Sequence, residues 1–423
     1  MIKYKQNYLT LCLCTALTSF AFSPQISATP LQQEENETDE ESMEKITVIG
    51  SNISGAQAAG RLPVTTLNAD DITNTGAVTG DELLRSIPQI GDISFNNERA
   101  IGGVNDARGD VASINLRGIG TGNTLTLLNG RRMVLHPGTQ TENFVPVTTV
   151  NSNTLPVSGL RRLEVLRDGA SALYGTDAVT GVVNYVLKKD TTQSQLKLNA
   201  GNAAGTSMQQ YLVSGSTGLF FNDDKSHLSL SFAYYTRDEI GANERSYSAS
   251  EDRRFNDRIP DEFIGDTQLD NRSLSSPWAI FDGENIGRFH IRPESMGECF
   301  QSLSDGVCAA EGSIPRDMRY DSALEDQSMT SAIDRANLFA YFTHKLSPGL
   351  ESFGEALYYE AISKRRREQN ANLTAQRFTI SEDAAYNPFG ETVTLRNIRP
   401  MDVGPRRIEV EDSSYRVLGG LKG

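Results

Sequence analysis

Leu160-Arg-Arg-Leu-Glu-Val-Leu-Arg-Asp-Gly169, followed by Ala170-Ser-Ala-Leu-Tyr-Gly175 and then Gly181-Val-Val-Asn184, is the stretch on which the fold turns. Leu160–Leu166 and Val182–Leu187 are short apolar, β-favouring runs, and the small residues from Asp168 to Thr176 between them predict a turn. The same grammar extends towards the N-terminus. Leu62–Leu67 reads as a strand with Pro63 near its start. Thr79-Gly80-Asp81-Glu82 is a capping box that opens a short helix, which Pro88 ends after Leu83, Leu84 and Ile87 have lined one face. Ala112–Arg117 and Thr124–Leu128 read as two more strands, the second turned by Asn129-Gly130, a strong hairpin signal. Residues 60–190 are therefore expected to form an α/β sheet domain.

Beyond Asp190 the pattern changes to strands alone: Gln195–Ala200, Met208–Ser216, His227–Thr236, Ala336–Leu346, Leu350–Ile362 and Ser414–Leu421. In His227–Thr236, Leu228, Leu230, Phe232 and Tyr234 share one face while Ser229, Ser231 and Ala233 share the other. That is the two-residue repeat of a sheet with one apolar side. Tilted at about 45°, this strand rises roughly 23 Å, close to the apolar height of an outer-membrane barrel. The connections alternate too. Arg237–Arg335 and Ser363–Ser413 are long, whereas Ser347–Gly349 is tight, as in barrels with long loops at one rim and tight turns at the other. A soluble β-sandwich is the competing reading of residues 191–423.

The first residues carry an address. Lys3 and Lys5 precede an apolar stretch from Leu9 to Phe22 and small residues up to Ala28, so residues 1–28 are read as a secretory signal cut after Ala28. Cys12 and Cys14 leave with it. Cys299 and Cys308 then remain as a closely spaced pair in an oxidising compartment, which predicts a disulfide. Residues 29–43 form an acidic linker expected to stay disordered; Leu31–Glu44 holds seven acidic residues. The β-favouring run Lys45–Gly50 follows it. Two readings stand for that run: the edge strand of the next domain, or a peptide that adds itself to another protein's sheet.

Composition excludes several function classes. The 423 residues carry a formal charge of −14, pI about 4.9 and mean hydropathy −0.39, which argues against a nucleic-acid partner. After residue 22 no apolar run approaches the roughly 18–20 residues of a spanning helix. His136, His227, His290 and His344 are scattered, so no zinc-type cluster is expected. Gly118-Ile-Gly-Thr-Gly122 leads into a strand rather than a helix and fails as a dinucleotide fingerprint. Tyr185 and Lys189 lie on a strand pattern, which removes the helical face that a Tyr-x-x-x-Lys dehydrogenase pair needs. No nucleophile–base set stands out, so neither enzymatic activity nor a cofactor or metal is expected. Lys364–Arg367 reads as a solvated charge cluster or as a contact for anionic head groups or an anionic ligand. Trp278, Phe281, Phe289, His290 and Tyr320 give the first long loop an aromatic content that suits ligand contact or simple packing.

With these residues in view, the chain resembles the TonB-dependent outer-membrane receptors. Glu44–Gly50 looks like their TonB box, and Ser113-Ile-Asn-Leu-Arg-Gly118 with Leu125–Arg131 looks like their plug core. Leu160–Gly175 and Gly181–Asn184 give the most specific match. The resemblance implies an α/β plug domain followed by an antiparallel transmembrane β-barrel. That barrel would have 22 strands in the whole receptor, of which about six are present here. Pairing with TonB in the periplasm would run through Glu44, Lys45, Ile46, Thr47, Val48, Ile49 and Gly50. The plug motif would comprise Arg117, Gly118, Glu164, Arg167, Gly169, Tyr174, Gly175 and Asn184. The expected function is TonB-dependent active uptake of a scarce or bulky nutrient by a monomeric barrel in the bacterial outer membrane. Outer-membrane lipids and an extracellular small-molecule, oligosaccharide or peptide ligand would be the further partners. The rival classes are a passive or adhesive outer-membrane barrel and an exported soluble β-rich binding protein.

Six strands do not close around a plug, because barrel diameter grows with strand number and eight strands already fill their own interior. Residues 191–423, with extracellular loops 237–335 and 363–413, are accordingly expected to be an incomplete barrel, continued by further strands in the functional receptor.

Overall fold

The computed structural model describes residues 64–91, 109–138, 140–142, 145–167, 170–324, 327–369 and 378–423. The expected signal peptide, the acidic linker, the segment 44–50 and Gly169 lie outside them.

The N-terminal domain is built on five strands. Val64–Asn68 (β1) ends where Asn68 turns its side chain on the next helix, Ala69–Asn74 (α1). Asn68 Oδ1 accepts from the amides of Asp70 and Asp71, each at 2.9 Å, and the Asp71 carboxylate accepts from the Asn68 amide at 2.9 Å. This reciprocal cap satisfies three amides at a helix start. The helix Gly80–Arg85 (α2) is capped more loosely. Thr79 Oγ1 accepts from the Glu82 amide at 3.4 Å, while the Glu82 carboxylate reaches back to Val78 at 2.8 Å, one residue before the cap. Leu83, Leu84 and Ile87 are buried as their spacing predicts.

Thr124–Leu128 (β2) and Arg131–Arg132 (β3) form the expected hairpin, with φ +51° at Asn129 and +76° at Gly130. Two positive φ values in a two-residue turn match the right-handed strand twist, and Asn-Gly tolerates them. Gln140–Glu142 (β4) and Val145–Val147 (β5) pair separately. Leu160–Leu166 (β6) and Gly181–Leu187 (β7) complete the sheet in the order β1-β6-β7-β2-β3, where β2 and β7 run parallel and the other pairs antiparallel. The short helix Ser171–Tyr174 (α3) lies between β6 and β7.

One expected strand is absent. Ala112–Arg117 is not a ladder; it makes an isolated bridge from Leu116 to Ile90. Its backbone groups are bound elsewhere: the Ala112 amide donates to Asn151 Oδ1 at 3.1 Å, the Leu116 amide to Thr124 Oγ1 at 3.3 Å and the Arg117 amide to the Gln89 carbonyl at 3.0 Å. Side chains and loop carbonyls have replaced a neighbouring strand, which periodicity does not reveal.

The remaining long strands form one antiparallel sheet. Gln195–Asn202 (β8), Gln209–Phe221 (β9) and Ser226–Arg237 (β10) are followed, after a long excursion, by Ala332–Ser347, Leu350–Arg367 and Arg406–Lys422. Every one of the six expected strands is present. Several run further than the alternation suggested, so that Lys364–Arg367 lies within a strand rather than in a loop. The turns 222–225 and 348–349 lie at one end of the sheet, and the connections 203–208, 238–331 and 368–405 at the other. Asn222, Asp223 and Asp224 all have positive φ in the first turn.

The two long connections are more than loops. The first carries Ile240–Gly241 (β11), Ile280–Gly283 (β12), Arg288–Pro293 (β13), Gln301–Ser302 (β14), Val307–Glu311 (β15) and Ser328–Thr330 (β16). The sheet strands Ala332–Ser347 and Leu350–Arg367 are then β17 and β18. Phe378–Ile380 (β19) and Val393–Asn397 (β20) come from the second connection, and Arg406–Lys422 is β21. A second six-stranded sheet, β14-β15-β13-β12-β20-β19, joins the two connections through the β12–β20 pair. Its short strands carry no long alternation, so the sequence presents them as loop.

Cys299 and Cys308 are joined at a Cα–Cα distance of 5.8 Å, beside β14 and within β15. Peptides from unreduced, alkylated protein are expected to carry this pair bridged; mass spectrometry showing both thiols alkylated would remove the bridge.

Candidate functional site

The inward face of the long sheet is where the two domains meet. Cross-strand register places Arg335, Asn337, Phe339 and Tyr341 of β17 beside Ala361, Tyr359, Leu357 and Glu355 of β18, and all are buried. Phe339, Tyr341 and Leu357 belong to the same apolar core as Leu83, Leu84, Leu163 and Val183 of the N-terminal domain. The two domains therefore share one hydrophobic core.

A polar cluster is set into that core. Asp110 forms a two-bond ion pair with Arg335, although 225 residues separate them in sequence. Tyr359 Oη donates to Asp110 Oδ2 at 3.0 Å, and Asn153 Nδ2 donates to Asp110 Oδ1 at 3.0 Å. Asn151 Nδ2 donates to the Asp110 carbonyl at 2.8 Å, and Asn337 Nδ2 to the Asn153 carbonyl at 3.0 Å. Asp412 of β21 accepts from the Asp110 amide at 3.2 Å and meets His136 at 3.0 Å. Both carboxylate oxygens of Asp110 thus have partners, the condition under which a buried charge pair is tolerated.

A second tie starts from the expected plug motif. Glu164, completely buried, accepts from Arg162 Nε at 2.7 Å and from Asn184 Nδ2, directly opposite on β7, at 2.9 Å. Asn184 Oδ1 takes the Gly130 amide at 2.9 Å, and Asn129 Nδ2 donates to Glu355 of β18 at 2.9 Å. The connection runs from β6 through the Asn-Gly turn to the long sheet.

The other motif residues act locally. Arg117 and Gly118 have φ of +64° and +71° in the turn around Asn115. The Tyr174 carbonyl accepts from Arg132 Nη2 at 2.6 Å, and Arg132 also pairs with Asp177. Gly175 has φ +87°, while Arg167 directly follows β6. Glu164 and Asn184 are thus brought together, whereas Arg117–Gly118 and Tyr174–Gly175 shape separate turns. Sequence reading missed Asp110, Asn151, Asn153, Arg335, Tyr359 and Asp412. The available signal was Arg335 and Asn337 on the inward phase of an otherwise apolar strand, hidden because the expected strand began at Ala336.

The basic run divides between the two faces of β18. Lys364 lies 3.6 Å from Glu409, Arg366 2.8 Å from Glu239 and Arg367 3.6 Å from Glu368, while Arg365 is buried. In the outer sheet, Phe281, Phe289, Phe300 and Phe389 stack or tilt together, with Phe289–Phe389 centroids 4.6 Å apart. Trp278 packs on Ile280, Ile314 and Met318, and Arg399 lies 4.1 Å over the Tyr320 ring. Burial holds His290 below its ordinary pKa. Arg254 and Arg272 hold Asp252 down to about 2. Beside the aromatic cluster is a cavity of about 580 Å³, lined by Phe281, Ile291, Val307, Ile380, Tyr386 and Phe389 among others.

Residues 56–182 match the model of the TonB-dependent Receptor Plug Domain. This segment is a TonB-dependent receptor plug. The chain is thus a plug domain followed by an antiparallel sheet that resembles part of a barrel and seats the plug on its inward face. Among solved structures, it is similar to a point mutant of the ferric enterobactin receptor PfeA from Pseudomonas aeruginosa. That match is 13% identical, covers 85% of this chain and 46% of the other, and has a TM-score of 0.40. It is also similar to the siderophore receptor PirA from Acinetobacter baumannii, at 16% identity, 85% and 45% coverage and a TM-score of 0.37. The chain spans about half the length of these solved receptors.

Removing one member of the buried pair leaves the other uncompensated inside the plug–barrel core. Arg335→Met is therefore expected to lower stability by about 3–5 kcal/mol. Arg335→Met combined with Asp110→Asn should recover part of that loss, because no charge is left stranded. Denaturant titration of the two variants decides it; equal stability of Arg335→Met and the unmodified chain would remove the pair from its structural role.

Proposed function

We propose that this chain serves as a receptor for TonB-dependent active uptake of a nutrient across the bacterial outer membrane. The observation that carries the reading is the plug seated on a sheet whose opposite face is apolar. Leu196, Phe232, Leu338, Tyr358 and Tyr415 form one outward row across five strands, with Gly215 between the first two. Leu196, Leu338, Tyr358 and Tyr415 are exposed in that row, as are Leu198 and Val417 nearby. Such a face suits contact with outer-membrane lipid. A soluble β-rich binding protein would leave it in water, where a contiguous apolar face is a liability.

A passive or adhesive barrel has no use for a plug tied to its wall by a buried ion pair. In the proposed cycle, a small-molecule, oligosaccharide or peptide ligand binds at the end carrying the long connections, where the aromatic-lined cavity offers an apolar surface. Residues Glu44–Gly50 then pair with TonB in the periplasm, and the pull loosens the plug from the wall. Residues 1–28 serve as the export signal in this reading, and the barrel acts as a monomer. No catalytic step is involved.

Backbone pairing tolerates most side-chain changes, but proline removes a donor and fixes φ. Val48→Pro is accordingly expected to abolish energised uptake, measured as growth on a nutrient that a strain lacking the receptor cannot use. Growth at the unmodified rate would overturn the assignment of residues 44–50.

A further inference from the structure

The contact between plug and barrel wall has two unlike halves. On β17 and β18 it is a continuous apolar core with the Asp110 cluster set into it. On β8, β9 and β10 the wall presents small hydroxyls beside a smaller apolar contact of Leu212 and Tyr235 with Val78, and leaves a chamber of about 160 Å³, roughly five water volumes at ~30 Å³ each. The plug side of the chamber includes Thr73, Ser158 and Lys188; the wall side includes Lys197, Ser214 and Ser216. Lys197 and Ser214 are register partners on β8 and β9, so both belong to the inward face.

Two features of this chamber point to a ligand. First, Ser214 is 1% exposed and its Oγ has no hydrogen-bond partner. A buried hydroxyl without a partner is uncommon and calls for one. Second, the lining includes two lysines, Lys188 and the exposed Lys197, and no acidic residue. Elsewhere cations meet acids directly: Arg132 with Asp177, Arg161 with Asp190, Arg162 with Glu164. Lys188 Nζ donates one bond, to the Ser158 carbonyl at 3.1 Å, which leaves two of its three N–H groups for another acceptor. Burial pushes the Lys188 pKa down, and the Asp70 carboxylate works against that from outside the chamber lining. An anion inside the chamber would favour the charged amine directly.

We propose that this chamber between the plug and β8–β10 is a binding site for a small oxyanion, a phosphate or carboxylate group, held by Lys188, Lys197 and Ser214. The site's role rests on the uptake reading above: the group would be one carried by the transported nutrient, caught where the plug is least tightly joined to the wall. The binding itself does not depend on that role.

The test is equilibrium dialysis of the full chain, purified in detergent, against radiolabelled inorganic phosphate and, separately, labelled acetate. The unmodified chain is expected to retain one of the two anions or both; retention of phosphate alone or acetate alone names the class. Loss of a charge-assisted hydrogen bond should weaken retention about tenfold in Lys197→Met, with a smaller loss in Ser214→Ala. Lys225→Met removes the same charge from the exposed turn 222–225, away from the chamber, and should leave retention unchanged. Lys197 lies on an edge strand, so its variant should keep the fold, checked by the emission of Trp278, the one tryptophan. Three results would overturn the site: neither anion retained, Lys197→Met retaining as much as the unmodified chain, or Lys225→Met losing as much as Lys197→Met. The assay contains no TonB and no energy source, so its failure leaves the uptake reading standing, and a failure of the Val48→Pro test leaves the anion site standing.

Discussion

The ion pair between Asp110 and Arg335 is the constraint on which the relation of the two domains depends. It takes two groups out of water that would each be costly alone, so their geometry has to be satisfied from several directions at once. Tyr359 and Arg335 come from the barrel wall, Asn151 and Asn153 from a plug loop, and Asp412 reaches the neighbouring amide and His136 from β21. Hydrophobic packing of Phe339 and Leu357 against the plug is non-directional and would tolerate rotation or sliding. The carboxylate does not, because a displaced Asp110 would lose its bonds to Arg335, Tyr359 and Asn153 together. Packing supplies adhesion here, and the charged cluster supplies register.

The second tie has a different character. Glu164 and Asn184 organise the plug sheet internally, and only the Asn129–Glu355 bond crosses to the wall. A hairpin turn, chosen for its backbone conformation, thereby also serves as a contact. Asn129 does three things at once: it adopts a positive φ, accepts from the Leu187 amide at 3.0 Å and donates to Glu355. Few side chains combine these abilities, which accounts for Asn rather than Gly at the first turn position.

The fold was legible wherever a repeat was long or a turn chemically marked. All six barrel strands, the Asn-Gly hairpin and the helix before Pro88 follow from periodicity and turn chemistry. What escaped was carried by non-local bonds. Ala112–Arg117 looks like a strand because its side chains alternate in kind, but its amides end on Asn151, Thr124 and Gln89. The outer sheet escaped because its strands are two to six residues long and one of its pairs, β12–β20, bridges more than a hundred positions of sequence. Of the site, Glu164 and Asn184 were visible as part of a family pattern. Asp110 was not, since nothing near it in sequence announces a partner 225 residues away.

The β12–β20 pairing makes the two long connections a single object. Residues 280–283 form a ladder with residues 393–397, so neither excursion completes its sheet without the other. During synthesis β12 emerges just over a hundred residues before β20 and must wait with an open edge. The same pairing limits how the exterior of the molecule can diversify. An insertion that shifts β12 by one position would turn its side chains to the wrong face of β20. Exchange of one excursion between related proteins would leave orphaned backbone groups on the other. The two excursions are therefore expected to change as a unit over evolutionary time, a heritable module assembled from two distant pieces of the chain.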